Sequence, residues 1–116
     1  MDKNLTFDDI IACLDTPVVS IHVPEWNGTV YLKLLTALER EKWESFAQKE
    51  LKLGTPTGLI RCTLLSMCLC DENGTLIVKD VRQLANKNAN VINRLFTKAL
   101  SINSLTDDSI DEIEKN

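Results

Sequence analysis

One histidine, His22, four glycines and three prolines are all that the 116 residues contain of those types. There is no Cys-x-x-Cys pair, no His-x-x-x-His, no serine elbow and no glycine loop followed by Lys-Ser/Thr. These absences remove the usual supports of a zinc site, an activated serine and a phosphate cradle. No apolar run approaches the roughly 18 residues of a membrane span, so no membrane partner is expected. The opening Met-Asp-Lys-Asn is not a basic start leading into an apolar stretch, and the reading is a cytosolic protein. The Asn-x-Thr triplets at Asn4, Asn27 and Asn73 are then helix-start and turn chemistry rather than glycosylation acceptors. Excess basic charge is also missing. The net charge is -4. Residues 107–116 carry Asp107, Asp108, Asp111, Glu112 and Glu114 against Lys115 alone, and the rest of the chain is balanced. A phosphate-backbone binder would show a basic face, so nucleic acid is not an expected partner. An acidic end solubilises, or meets a basic partner.

What is present is patterned. Phe7, Ile10, Ile11 and Leu14 fall on one helical stripe, with Thr6 as N-cap and Thr16-Pro17 as the stop. The period then changes to two. Val19, Ile21 and Val23, then Val30, Leu32 and Leu34, alternate with polar neighbours around Pro-Glu-Trp-Asn-Gly. This predicts an antiparallel hairpin with one buried face, with Asn27-Gly28 supplying positive φ at the bend. Thr36 and Glu39 form a capping box for a helix over about 37–52, ended by Gly54-Thr55-Pro56. Its Trp43, Phe46, Ala47 and Leu51 share one face. Residues 58–70 are apolar nearly all round. Periodicity leaves helix and strand open there, and length favours a helix. A turn at Asp71–Gly74, a short extended piece at 76–78 and a helix near 80–86 follow. A strongly amphipathic helix comes next at about 89–102. A last helical turn or two at 107–114 would present Ile110 and Ile113. The fold class is α+β. A mostly helical single domain over 1–106, with an N-proximal hairpin packed on four to six helices, precedes an acidic helical tail over 107–116.

Candidate chemistry is thin. Cys62, Cys68 and Cys70 read as buried thiols, because Cys-x-Cys on a helix points to two faces and free cysteine is among the most buried residue types. Cys13 reads as core or core edge. The paired carboxylates (Asp8/Asp9, Asp71/Glu72, Asp107/Asp108) sit at helix starts or turns, where the macrodipole and turn geometry favour acids. No catalytic residue, metal or cofactor is expected, and the chain is not read as an enzyme. What remains is surface. Trp26 on a bend either packs inward or projects as a contact residue, and tryptophan is enriched in binding hot spots.

The stretches HVPEWNGTVYLKLLTALEREKWESF, LLSMCLCDENGTLI, VINRLFTKALSINSL and SIDEIEKN carry a resemblance. Together, over residues 22 to 116, the sequence resembles the tail assembly chaperones of long-tailed, siphovirus-type bacteriophages. The resemblance implies a protein that acts in the host cytoplasm during tail building and is absent from the finished virion. Such proteins bind the long helical tape measure protein, keep it soluble, and help recruit tail tube subunits. Many exist in a short form and a ribosomal-frameshift extension. At Glu114-Lys115-Asn116, GAA-AAA-AAT or GAA-AAA-AAC codons would make a run of six adenines, a candidate frameshift junction. A client with apolar helix faces needs an amphipathic groove or face, and several weak contacts along it gain from avidity. The candidate partner-binding residues are therefore Trp26, Glu25, Tyr31, Ile110 and Ile113, with Trp26 partly exposed and self-association expected. Two other readings stand beside this one. The first is a small cytosolic regulatory binding protein of inhibitor or antitoxin type. The second is a metal- or thiol-dependent protein using Cys62, Cys68 and Cys70.

Overall fold

A computed structural model describes residues 3–105. Its elements are helix α1 (Phe7–Ala12), strand β1 (Val18–Val23), strand β2 (Gly28–Lys33), helix α2 (Ala37–Lys52), helix α3 (Thr57–Cys68), strand β3 (Leu69–Cys70), helix α4 (Val81–Leu84) and helix α5 (Ala89–Ile102). The architecture is α+β, with an antiparallel three-stranded sheet in the order β1-β2-β3 beside the helices. The expected last helical turn at 107–114 lies outside the described residues.

The hairpin forms in the expected register, with Val19 opposite Leu32, Ile21 opposite Val30 and Val23 opposite Gly28. These residues share one face because alternate side chains point the same way. Leu32 and Val23 are fully buried on that face. The bend differs in detail from an Asn-Gly turn. Pro24–Trp26 make one 3₁₀ turn, and Asn27 alone takes the left-handed conformation, at φ 53°. Gly28 is already paired in β2.

Residues 58–70, left open between helix and strand, are both. Helix α3 runs to Cys68, and Leu69–Cys70 then join β2 as an edge strand, with Leu69 opposite Leu32. The all-round apolarity has its cause in the tertiary structure. Helix α3 packs against α2, α4, α5 and β2, so little of it is left to face solvent. Its Ile60, Cys62, Leu64, Leu65 and Cys68 are buried. Helix α5 contributes Val91, Ile92, Leu95, Phe96, Ala99 and Leu100 to the same core. Trp43 of α2 meets Phe96 edge-on at 6.4 Å between ring centroids.

Local chemistry holds the joints. The Thr36–Glu39 capping box is complete, and Glu39 also accepts from Lys33 Nζ at 3.0 Å, which ties the end of β2 to the start of α2. Asn103, just past α5, accepts from the Leu35 N–H at 2.7 Å and donates to the Ala99 carbonyl at 3.0 Å. Asp71 Oδ1 accepts from the backbone N–H groups of Asn73 and Thr75, and Gly74 sits at φ 87°, so the expected turn is present.

Two expectations need correction at the N-terminus. Helix α1 has the expected Thr6 cap, in a full capping box with Asp9, but it ends at Ala12 rather than running to Thr16-Pro17. Cys13 follows in an extended conformation and is exposed, not at the core edge. The physical reason is that α1 buries no side chain against the body. Its stripe faces solvent: Phe7 is 73% exposed and Leu14 100%.

Candidate partner-binding groove

The bend between β1 and β2 is a built feature. The 3₁₀ turn closes with the Asn27 N–H donating to the Pro24 carbonyl at 3.0 Å. Glu25 on that turn receives both terminal nitrogens of the Arg94 guanidinium, at 2.7 and 2.9 Å. This bidentate pair fastens the bend to the outer side of α5. The guanidinium holds the Glu25 carboxyl down to about 2, with the Glu25 backbone N–H adding to the effect.

Trp26 is half-buried. One side packs on the core. The other lies in an open groove of about 690 Å³, where Ile77, Val78 and Leu84 complete an apolar floor. Lys79 and Lys87 line it as well, with the acids Glu25 and Asp80, and Lys87 Nζ lies 6.0 Å from the centre of the Trp26 ring. An apolar floor with charged side chains around it suits an amphipathic helix. Leu76–Val78 extends past the turn, held by the Cys70–Leu76 bridge and by Val78 packing on the core, and Ile77 between them stays about half exposed.

Of the residues singled out in the sequence, Trp26 and Glu25 come together here. Tyr31 does not join them. It sits in the middle of β2 on the opposite face from Leu32, half-buried between Ser20 and Cys70. Ile110, Ile113, Glu114, Lys115 and Asn116 lie outside the described residues. Sequence reasoning missed Arg94, Lys87, Lys79 and Leu84. A cation on the polar side of a helix looks like any solvated charge until its partner is placed beside it. A signal did exist in Leu76-Ile77-Val78, an apolar triplet too short for a core strand.

No cysteine lines the groove. Cys62, Cys68 and Cys70 are buried, and burial pushes all three thiols up, Cys68 to about 12. A thiol that resists ionisation is a poor nucleophile. Among the described residues, no three His, Cys, Asp or Glu side chains gather in a way that could hold a metal ion.

The family model described as phage tail assembly chaperone matches residues 18–116. The chain belongs to the phage tail assembly chaperone family. No curated protein and no solved structure matches it. The role carried by the family is chaperoning in phage tail assembly rather than catalysis. The matched region of this chaperone begins with the first residue of β1, so it takes in the bend, the groove and every buried core residue. Helix α1 precedes it.

Proposed function

We propose that this chaperone binds the tape measure protein of a siphovirus-type phage in the host cytoplasm, keeps its apolar helices soluble, helps recruit tail tube subunits, and leaves before the virion is complete. The observation that carries the reading is the Trp26 groove, open, with Trp26, Ile77, Val78 and Leu84 as its apolar lining and Lys79 and Lys87 beside them, inside the family-matched region. An amphipathic client helix would lay its apolar stripe on Trp26, Ile77 and Leu84 and its acidic edge towards Lys79 and Lys87. Each such contact is weak, and several copies along one long client hold it by avidity. A longer form joined at Glu114-Lys115-Asn116 would couple the groove-bearing domain to a second binding segment.

The test is co-expression of the native gene, with its downstream DNA, and the tape measure gene of the same phage. The tape measure protein is expected in the soluble fraction with the chaperone bound, together with a minor longer chaperone product by intact mass. Ile77→Glu places a charge on the groove floor at a half-exposed position. It should cut co-purification about tenfold or more, the equivalent of about 1.4 kcal/mol. Its melting temperature should stay close to that of the wild type. Equal recovery of the client with Ile77→Glu would move the client site elsewhere.

A further inference from the structure

Helix α1 is a formed amphipathic helix with its apolar side uncovered. Leu5, Phe7, Ile10, Ile11 and Leu14 are all more than half exposed. A contiguous apolar patch of this kind on a stable domain marks a contact surface. A complete capping box starts the helix, and the Ile10 carbonyl accepts from the Cys13 N–H to close it. We propose that α1 is an arm that docks in the Trp26 groove of a second copy of this chain.

Three observations choose that occupant. The first is chemistry. The arm offers an apolar stripe of helical spacing, and the groove offers an apolar floor with room for one. The second is charge. Asp9 is taken up by Thr6 and Lys3, which leaves Asp8 and Asp15 as the arm's available acids. In the groove Glu25 is held by Arg94, and Lys79 and Lys87 outnumber Asp80, which stays charged while it caps α4. The arm's acids meet a groove with a surplus of base. The third is reach. The arm leaves the body at Pro17, whose carbonyl accepts from the Leu34 N–H, and the groove begins at Trp26, beyond the other end of β1. Six strand residues cover about 17 Å, more than the link from Cys13 to Thr16 spans when fully extended. The groove of a neighbour is reached without that strain. Each copy then gives one arm and accepts one, which a reciprocal pair or an open chain satisfies alike. The inference rests on the reading of the Trp26 groove as a helix-binding groove and adds its occupant in the absence of client. Its test needs no tape measure protein, so its failure is distinguishable from failure of the client reading.

The experiment uses the full chain in sedimentation equilibrium, with crosslinking through Cys13, the one exposed cysteine among the described residues. Wild type should self-associate. Ile10→Glu/Ile11→Glu should weaken that association about tenfold or more without changing the melting temperature. A chain with Asp8→Lys/Asp15→Lys should fail to bind wild-type grooves and should bind chains with Lys79→Glu/Lys87→Glu. Gln83→Cys, on the groove rim, should form an intermolecular crosslink to Cys13 with a short bismaleimide, and Cys13→Ser should abolish it. A wild-type chain that stays monomeric at its highest soluble concentration would overturn the proposal. So would a crosslink from Cys13 to the thiol introduced at position 83 of the same chain. A crosslink between the Cys13 thiols of two chains, in place of the one to position 83, would overturn it as well.

Discussion

Glu25 and Arg94 stand 69 positions apart and meet through both guanidinium nitrogens. Both side chains are partly exposed, so the pair orients the bend more than it stabilises the fold. Its pH dependence has a definite sign. A glutamate held at about 2 when folded and near 4.5 when free contributes stability above 4.5, and that contribution is lost as pH falls from 4.5 towards 2. Glu25→Gln should therefore show a shallower loss of stability across that window, read from denaturation midpoints at stepped pH. Asp9 and Glu39 are also lowered, Asp9 chiefly by the Thr6 N–H. Against the opposing effect of its burial, Glu39 is held down by the Thr36 N–H and Lys33. Some acid sensitivity will thus remain. Identical profiles for the two proteins would mean that the ion pair does not persist in solution. Glu25 was a legible candidate because it sits beside a tryptophan on a bend. Arg94 was not, because nothing local distinguishes it from Lys98 one turn later.

Two helices illustrate how far periodicity reaches at the scale of elements. Helix α1 has a clean apolar stripe and buries none of it. Helix α3 has no stripe and buries five side chains. Their substitutions should differ accordingly. Leu64→Ala removes atoms from a fully buried site and should cost about 2–5 kcal/mol in chemical denaturation. Ile10→Ala should change stability by no more than about 0.5 kcal/mol, as for other exposed positions. A large effect of Ile10→Ala under monomeric conditions would mean that the arm folds onto its own body. The hairpin, α2 and α5 were legible because each has one wet and one dry face. The Leu69–Cys70 strand was hidden because two strand residues directly follow twelve helical ones with no polar punctuation between them.

Among the described residues, the buried core begins at Val23 and ends at Leu100. Removing residues 1–16 should leave the melting temperature within a few degrees of that of the full chain, since about 1 kcal/mol moves a domain of this size by roughly 4–8 °C. Thermal unfolding at low protein concentration checks this, and a loss of cooperative unfolding would place the arm in the fold. The same deletion should abolish self-association by the arm while leaving the Trp26 groove in place. Helix α1 lies outside the family-matched region and the groove within it.

The sequence by itself determined the α+β class, the hairpin and its buried face, the helix caps at Thr6 and Thr36, and the family. These depend on local rules: period, turn residues, reciprocal caps and ordered motifs. Which apolar faces are covered depends on the packing of elements far apart in the chain. That packing buried Cys62, Cys68 and Cys70, exposed Cys13 and the α1 stripe, and brought Trp26, Ile77, Leu84 and Lys87 to one groove. The reason is that burial belongs to a pair of surfaces. An apolar stripe states that a partner is wanted, and only the packing of the remaining elements settles whether this chain supplies it.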